Sequence, residues 1–304
     1  MSVPSHCVVE GTLPSAVATY FAPERETLAS YLDVVPDTLD MTTADPTTGP
    51  VHALPWAYVA DLTGWRGFAL ARLLAAERDC PCYRLSPLAR DSVETLWRVL
   101  DRSSEGSVVV HVELRSETGP IPGELRAALR RGYERADGDG TTVSGDPSNA
   151  IVVFTDTSPS KRLISPLPDA TAPVGGATLS YAPRDSMLPE QPDGTATLAE
   201  PPALAERTDE LDAILADALD GVGDPDARDS FVDSAVEALV ITHSTIGKQD
   251  LLFDVSPRVA LRYGHRLDSV GVDAALSALR RDLLAQVPRS PGTAELRETL
   301  ATLL

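Results

Sequence analysis

The sequence predicts an α/β protein. Its core is a three-layer sandwich, with helices on both faces of a mainly parallel five-stranded sheet, and an all-α domain follows. Three observations predict this. Between about residues 51 and 185, short apolar runs alternate with stretches of helical periodicity. The strongest runs, SVVVHVEL (107–114) and AIVVFTDT (150–157), are apolar almost throughout, as strands covered on both faces must be. After a proline-rich stretch at 186–203, only helical periodicity remains.

The elements follow in chain order. Residues 1–50 read as an N-terminal extension, an amphipathic helix within 15–35 and then a polar, proline-bearing linker at 36–50. Residues 51–185 form the α/β domain. WAYVAD (56–61) is a buried strand, and FALARLLAAERD (68–79) places Leu70, Leu73 and Leu74 on one helical face. CYRL (82–85) is a short strand. Ser86 and Pro87 open a helix that continues through Val93, Leu96, Trp97 and Leu100. The stretch 122–136, PGELRAALRRGYERA, reads as a helix, and 137–149 as a polar loop rich in turn residues. GATLSYAP (176–183) is a fifth strand. Residues 186–203 read as a linker and 204–304 as the helical domain, with one apolar stripe on Leu211, Ile214 and Leu215 and another on Phe231, Ala235 and Leu239. Strands separated by helices imply right-handed crossovers.

Composition narrows the function classes. The 304-residue chain has 45 acids against 26 bases, a net charge of −19. Only Lys161 and Lys248 are lysines; the other bases are arginines. An acidic, lysine-poor surface suits a salt-rich cytoplasm, which points to a halophilic archaeon and a cytoplasmic protein. The same charge argues against nucleic-acid binding, which needs a basic footprint. No apolar run approaches the ~18 residues of a membrane span. Three cysteines cannot build a disulfide framework, and CPC at 80–82 has neither the spacing nor the second pair of a zinc knuckle, so Cys80 and Cys82 read as buried thiols at a strand start. DGVGDPDARD (220–229) lacks the glycine and distal glutamate of a calcium loop and reads as a solvated turn.

The stretch ADLTGWRGF (61–68 and its flanks) joins a strand to a helix as a phosphate-binding loop does. Such a loop has the pattern G-x-x-x-x-G-K-[ST], in which backbone amides and a lysine hold phosphates and a hydroxyl holds magnesium. In register, Asp61 and Arg66 replace the two glycines, Gly67 replaces the lysine, and Phe68 replaces the hydroxyl. Gly64 keeps a glycine inside the loop. An acid is unwelcome beside phosphate, and a ring is unwelcome beside a hydrated metal. Arg66 offers a cation, displaced by one residue from the lysine's place. VVVHVE ends with Val112 where a metal-binding acid would stand and Glu113 where a water-polarising acid would stand. Thr155 and Asp156 close the 150–157 strand where a water-orienting polar residue would lie. Each residue has a plainer reading beside this one: an ordinary βα turn at 59–79, a salt-bridged strand end at Glu113, a core hydrogen bond at His111, a helix-end position for His243, and pairing of Arg258 with Asp254.

The order of these pieces resembles an AAA+ ATPase, and the segment VITHSTIGKQDLLFDVSPRVALRYGHRLDSVG (240–271) resembles the lid of MoxR-type members. The resemblance covers roughly residues 51–290. It implies a P-loop-type core with a helical lid, and it assigns Arg258 of the S-P-R helix start to the nucleotide. The arginine finger expected before the last core strand has no counterpart in PLPDATAPVGG (166–176).

Together these readings give the expectation of a degenerate AAA+-like protein that no longer hydrolyses ATP and binds another protein, as a scaffold, adaptor or assembly subunit in a homo- or hetero-oligomer. The vestigial catalytic candidate is Glu113; the nucleotide-binding candidates are Gly64, Arg66, Gly67, Thr155 and Arg258. No cofactor or metal is expected, with ATP or ADP as the exception to test. The alternative is a divergent MoxR-type ATPase or chaperone that still binds nucleotide through Arg66, Glu113 and Arg258; a third reading is a DNA-associated clamp-loader-like relative.

Overall fold

A computed structural model describes residues 3–10, 13–26, 28, 44–45, 49–50, 56–86, 92–103, 106–114, 133–136, 142–145, 150–157, 176–180, 196–197, 204–247 and 255–304. The chain divides into two compact units. The first holds residues 1–12 and 23–201, the second 13–22 and 202–304.

The strands, in chain order, are β1 Val8–Val9, β2 Ala44–Asp45, β3 Gly49–Pro50, β4 Trp56–Ala60, β5 Cys82–Leu85, β6 Val108–Leu114, β7 Tyr133–Ala136, β8 Thr142–Gly145, β9 Ala150–Asp156, β10 Gly176–Ser180 and β11 Ala196–Thr197. The main sheet runs β1-β5-β6-β9-β4-β10-β11. Its central five strands, β5 to β10, are all parallel. The five-stranded parallel sheet expected from the sequence is therefore present, with a short strand added at each edge. One is β1, antiparallel to β5; the other is β11, parallel to β10. The edge strands fall in stretches that read from sequence as extension and linker, where two residues are too few to show a period.

The order of the central strands is informative. The first strand of the core, β4, does not sit beside the second. It lies between β9 and β10, so the chain leaves β4, passes over two strands and returns. The carboxyl end of β4 thus opens onto β9 on one side and β10 on the other, the kind of switch point where open α/β sheets place their sites.

Burial is continuous along β9, every residue of which is buried, and along β6 except at the partly exposed Glu113. Alternate residues face opposite layers. Val108, Val110, Val112, Val152, Phe154, Tyr58 and Ala60 pack in one core with Leu96, Val99 and Leu100 of helix Ser92–Ser103. The residues between them, such as His111 and Thr155, face helix Trp65–Glu77, whose Leu70, Leu73 and Leu74 are buried. In chain order, α1 is Ser15–Tyr20, α2 Trp65–Glu77 and α3 Ser92–Ser103. With α2 on one face and α3 on the other, the expected three layers are built.

One sequence reading is corrected. Tyr133–Ala136, read as the end of a helix, is strand β7, paired antiparallel with β8 so that Tyr133 faces Gly145 and Ala136 faces Thr142. The cause is local: DGDG at 137–140 is a hairpin turn signal, and TTVS after it favours a strand. The pairing with β8 outweighs the i, i+4 match of Leu129 with Tyr133. Residues 122–132 lie outside the described residues.

The second unit is helical: α4 Thr208–Ala218, α5 Pro225–Gly247, α6 Arg258–Gly264, α7 Leu267–Val270, α8 Val272–Gln286 and α9 Ala294–Leu303. Both apolar stripes read from the sequence are inward, with Leu211, Leu215, Phe231, Ala235 and Leu239 fully buried. The acidic stretch is the expected turn over 220–223, and Asp224 then caps α5, its carboxylate accepting from the amides of Asp226 and Ala227 at 3.0 and 3.3 Å. Helix α1 packs against α4 in this unit. Among the described residues, no helix is long and apolar enough to cross a membrane.

Candidate functional site

The pairing of β4 with β9 continues one residue past the strand, as the Asp61 amide donates to the Asp156 carbonyl at 2.9 Å. The chain then turns, and the Gly64 amide donates to the Asp61 carbonyl at 3.0 Å. Gly64 sits at φ 70° and ψ 0° immediately before α2. A side chain there would pay the left-handed penalty of about 1–2 kcal/mol that glycine avoids. Its missing Cβ would also lie 3.0 Å from Thr157 Cγ2 and 3.5 Å from Glu113 Oε1. Glycine therefore suits both the turn and the crowding above it.

The first turn of a helix presents amides with no partner inside the helix. Gly64, at the N-cap, has no side chain to meet them. Asp61 does it from further back. Its Oδ2 accepts from the backbone N–H of Arg66 at 2.7 Å and of Gly67 at 3.3 Å. Its Oδ1 accepts from the Thr63 amide at 3.1 Å and the Thr63 hydroxyl at 2.6 Å. The Arg66 guanidinium adds a contact at 3.4 Å. Asp61 is wholly buried, and Arg66 is nearly so. One carboxylate thus takes up backbone amides, a hydroxyl and a cation at a helix N-terminus. These are the groups with which a phosphate-binding loop holds its anion. Here the anion is the protein's own side chain.

Gly67 has its own constraint. A Cβ at this position would lie 2.8 Å from Thr155 Cγ2 and 2.9 Å from Thr155 Cβ, and it would overlap Oγ1. A lysine, or any larger residue, cannot leave the backbone here while Thr155 keeps its place. Thr155 is fixed in turn by His111, whose Nε2 is 2.8 Å from the Thr155 hydroxyl, both residues being fully buried. The Phe68 ring lies 5.2 Å from the His111 ring, tilted by 60°. The core role read for His111 is thus what the geometry shows.

Glu113, one residue before the end of β6, pairs with Arg84 of β5, and its side chain is 15% exposed. Arg84 and Arg72 both lie over the Phe68 ring, at 5.5 and 5.9 Å. Each such cation–π contact contributes about 0.5–1 kcal/mol at an exposed site. On the opposite face of the sheet, the Tyr58 hydroxyl donates to Asp156 Oδ2 at 2.6 Å. Burial, with the Asp156 charge behind it, pushes the Tyr58 phenol far above its ordinary value, so it remains a neutral donor. Burial also pushes the Cys82 thiol up to about 12 and raises Cys80, so neither forms the reactive thiolate at neutral pH. Cys82 is buried as expected, whereas Cys80 is only half-buried.

The structure therefore brings together Gly64, Arg66, Gly67, Thr155 and Glu113 at the carboxyl ends of β4, β6 and β9. Arg258 belongs to the helical unit. It is exposed in the first turn of α6, where its amide donates to Ser256 Oγ at 3.3 Å. Asp254, the acid offered as its partner, lies outside the described residues. Sequence reading identified Asp61 as an obstacle to phosphate but not as the cap of α2. The signal was there: Asp61 two residues before Thr63 is the spacing of an Asx turn. Tyr58 as the partner of Asp156 was missed. Both residues lie on the α3 face of adjacent strands, a diagonal pair that appears only once the register is known. Among the described residues, no group of three or more His, Cys, Asp or Glu side chains is arranged to hold a metal.

No protein-family model matches the chain, and no curated protein matches it. Among solved structures, it is similar to a RuvB mutant from Thermogota maritima, at 14% identity over 84% of this chain and 69% of that one, with a TM-score of 0.40. It is also similar to a chain of the E. coli MS115-1 HORMA:CdnC:Trip13 complex, at 11% identity over 98% of this chain and 94% of that one, with a TM-score of 0.41.

Proposed function

We propose that this chain is an AAA+-like protein, akin to the MoxR branch and of halophilic origin, that has given up nucleotide hydrolysis and serves as a protein-binding scaffold, adaptor or assembly subunit. The observation that carries this reading is the Asp61 carboxylate among the amides that begin α2. A nucleotide's phosphate would have to displace a buried, hydrogen-bonded carboxylate and then share the space with its charge. Like charges at hydrogen-bond range in a buried site are strongly unfavourable. The packing of Thr155 on Gly67 supports the same reading, because it leaves no path for a lysine side chain from that position. The donor set does not fit a triphosphate with magnesium. The site reads as a P-loop-type turn that supplies its own anion.

A divergent ATPase remains the second reading, and one observation favours it: Glu113 stands at a strand end beside Gly64. Isothermal calorimetry with ATP or ADP and magnesium in molar KCl, with turnover measured alongside, separates the two. The scaffold reading expects no binding at micromolar nucleotide and no turnover. Micromolar affinity with hydrolysis that Glu113→Gln abolishes would overturn it in favour of the ATPase.

A further inference from the structure

We infer that residues 13–22 are an integral clasp of the helical unit: a piece of N-terminal chain, flanked on both sides by residues of the α/β unit, without which the start of α4 is incomplete. The inference does not depend on the functional reading above. It rests on the way the chain is partitioned. Residues 1–12 and 23–201 form one unit, yet 13–22 cluster with 202–304. The chain therefore passes between units at 12–13, 22–23 and 201–202.

The flanks are tied on their own side. β1 pairs with β5, and Arg25 bonds Glu77 at 3.0 Å, both within the α/β unit. Between them, Val17, Tyr20 and Phe21 are buried. A six-residue helix such as α1 does not hold itself together in water, so its stability must come from packing. That packing is on α4. The anchor is Arg207, immediately before α4 and only 4% exposed. Its guanidinium donates to the Tyr20 carbonyl at 2.6 Å, although the residues are 187 apart in sequence. It also lies 4.8 Å over the Tyr20 ring. A buried arginine is tolerated only where its donors and charge are met, and residue 20 supplies two of the contacts that hold this one. Arg207 and Tyr20 are thus a lock that the 202–304 sequence cannot make alone.

Two measurements on the full chain test this. In hydrogen exchange, the amides of 15–21 in the wild type should exchange at the rate of the α4 amides, and Arg207→Ala should speed both sets at least tenfold while β6 and β9 keep their rates. In the second, residues 198–201 are replaced by a protease site, so that β11 stays with its own sheet, and the chain is cut there. The two pieces should then co-elute on gel filtration, held by the clasp, and Val17→Asp should let them part. Independent exchange of 15–21 and α4 in the wild type would overturn the inference. So would separation of the wild-type pieces on cutting, or co-elution that Val17→Asp leaves unchanged. Should Arg207→Ala unfold the whole chain, the wild-type rates and the cut chain still decide.

Discussion

Asp61 is the residue at which replacement reads the site most directly. Its carboxylate holds the Arg66 and Gly67 amides and the Arg66 side chain out of water, and the Thr63 amide and hydroxyl in a part-buried turn. Removing one partner of a buried charge pair leaves the other uncompensated, which costs about 3–5 kcal/mol. Asp61→Ala should therefore lower the free energy of unfolding by an amount in that range, measured by urea denaturation at fixed KCl. A loss of less than about 1 kcal/mol would mean that water readily takes the carboxylate's place. Gly67 gives the complementary test. Gly67→Ala forces a Cβ into Thr155, and overpacking of this kind costs about 1–3 kcal/mol. The same substitution in a Thr155→Ala background should cost less, because the crowding group is gone. A coupling near zero in that double-mutant cycle would show that the helix start shifts to make room. Asp61 was legible in the sequence as a group that phosphate would not tolerate. Its positive role was legible only in part: the spacing to Thr63 is that of an Asx turn, but hydrogen bonding to amides five and six residues ahead needs the turn geometry that Gly64 sets.

Among the elements, strands with long apolar runs were legible, because burial on both faces confines polar residues to a few positions. β6 and β9 fall where the runs SVVVHVEL and AIVVFTDT lie. β7 was not, because YERA fits a helix and a strand equally well, and its pairing with β8 decided the matter. Helices α4 and α5 show how charge is distributed at this scale. Asp212 on α4 is partly buried, and Asp233, Asp209 and Asp229 surround it with like charge. Burial first, and those neighbours next, raise its carboxyl above the ordinary range. The sign follows from linkage. A carboxyl raised in the folded state binds its proton more readily there than in the unfolded chain. The stability it contributes is full below the ordinary carboxylate value of about 3.9 and is lost as pH rises through its folded value. At pH 7 the charge is a burden, of the size of an exposed like-charge pair. Asp212→Asn should stabilise the protein by about 0.5 kcal/mol at pH 7 in low salt, the usual size of such a pair. The gain should vanish near pH 3.5, where the wild-type group is already neutral. Urea midpoints at the two pH values check both the gain and its disappearance; an equal gain at both would assign the effect to something other than charge.

For the whole molecule, the strand order shows what a sequence read locally cannot carry. Periodicity marks each strand, but nothing within WAYVA says that it will pair with β9 and β10 and not with β5. That choice is made by contacts about a hundred residues apart, and it places the loop after β4 at the switch point. Net charge, by contrast, needs no structure. At −19 the folded chain repels itself, and salt relieves the repulsion by screening. The Debye length falls from about 10 Å at 0.1 M to about 3 Å at 1 M, so nearly all the benefit of screening is gained by then. Screening alone therefore predicts a melting temperature that rises to about 1 M KCl and then levels. A surface adapted to hold hydrated cations predicts a further rise between 1 and 3 M. The halophilic reading expects that second rise. KCl would have to be compared with an equally concentrated neutral osmolyte, because exclusion of solutes from the surface also stabilises compact states. A curve that is flat above 1 M KCl, or one that the osmolyte reproduces, would return the acidity to ordinary solubility and remove the case for a salt-rich cytoplasm.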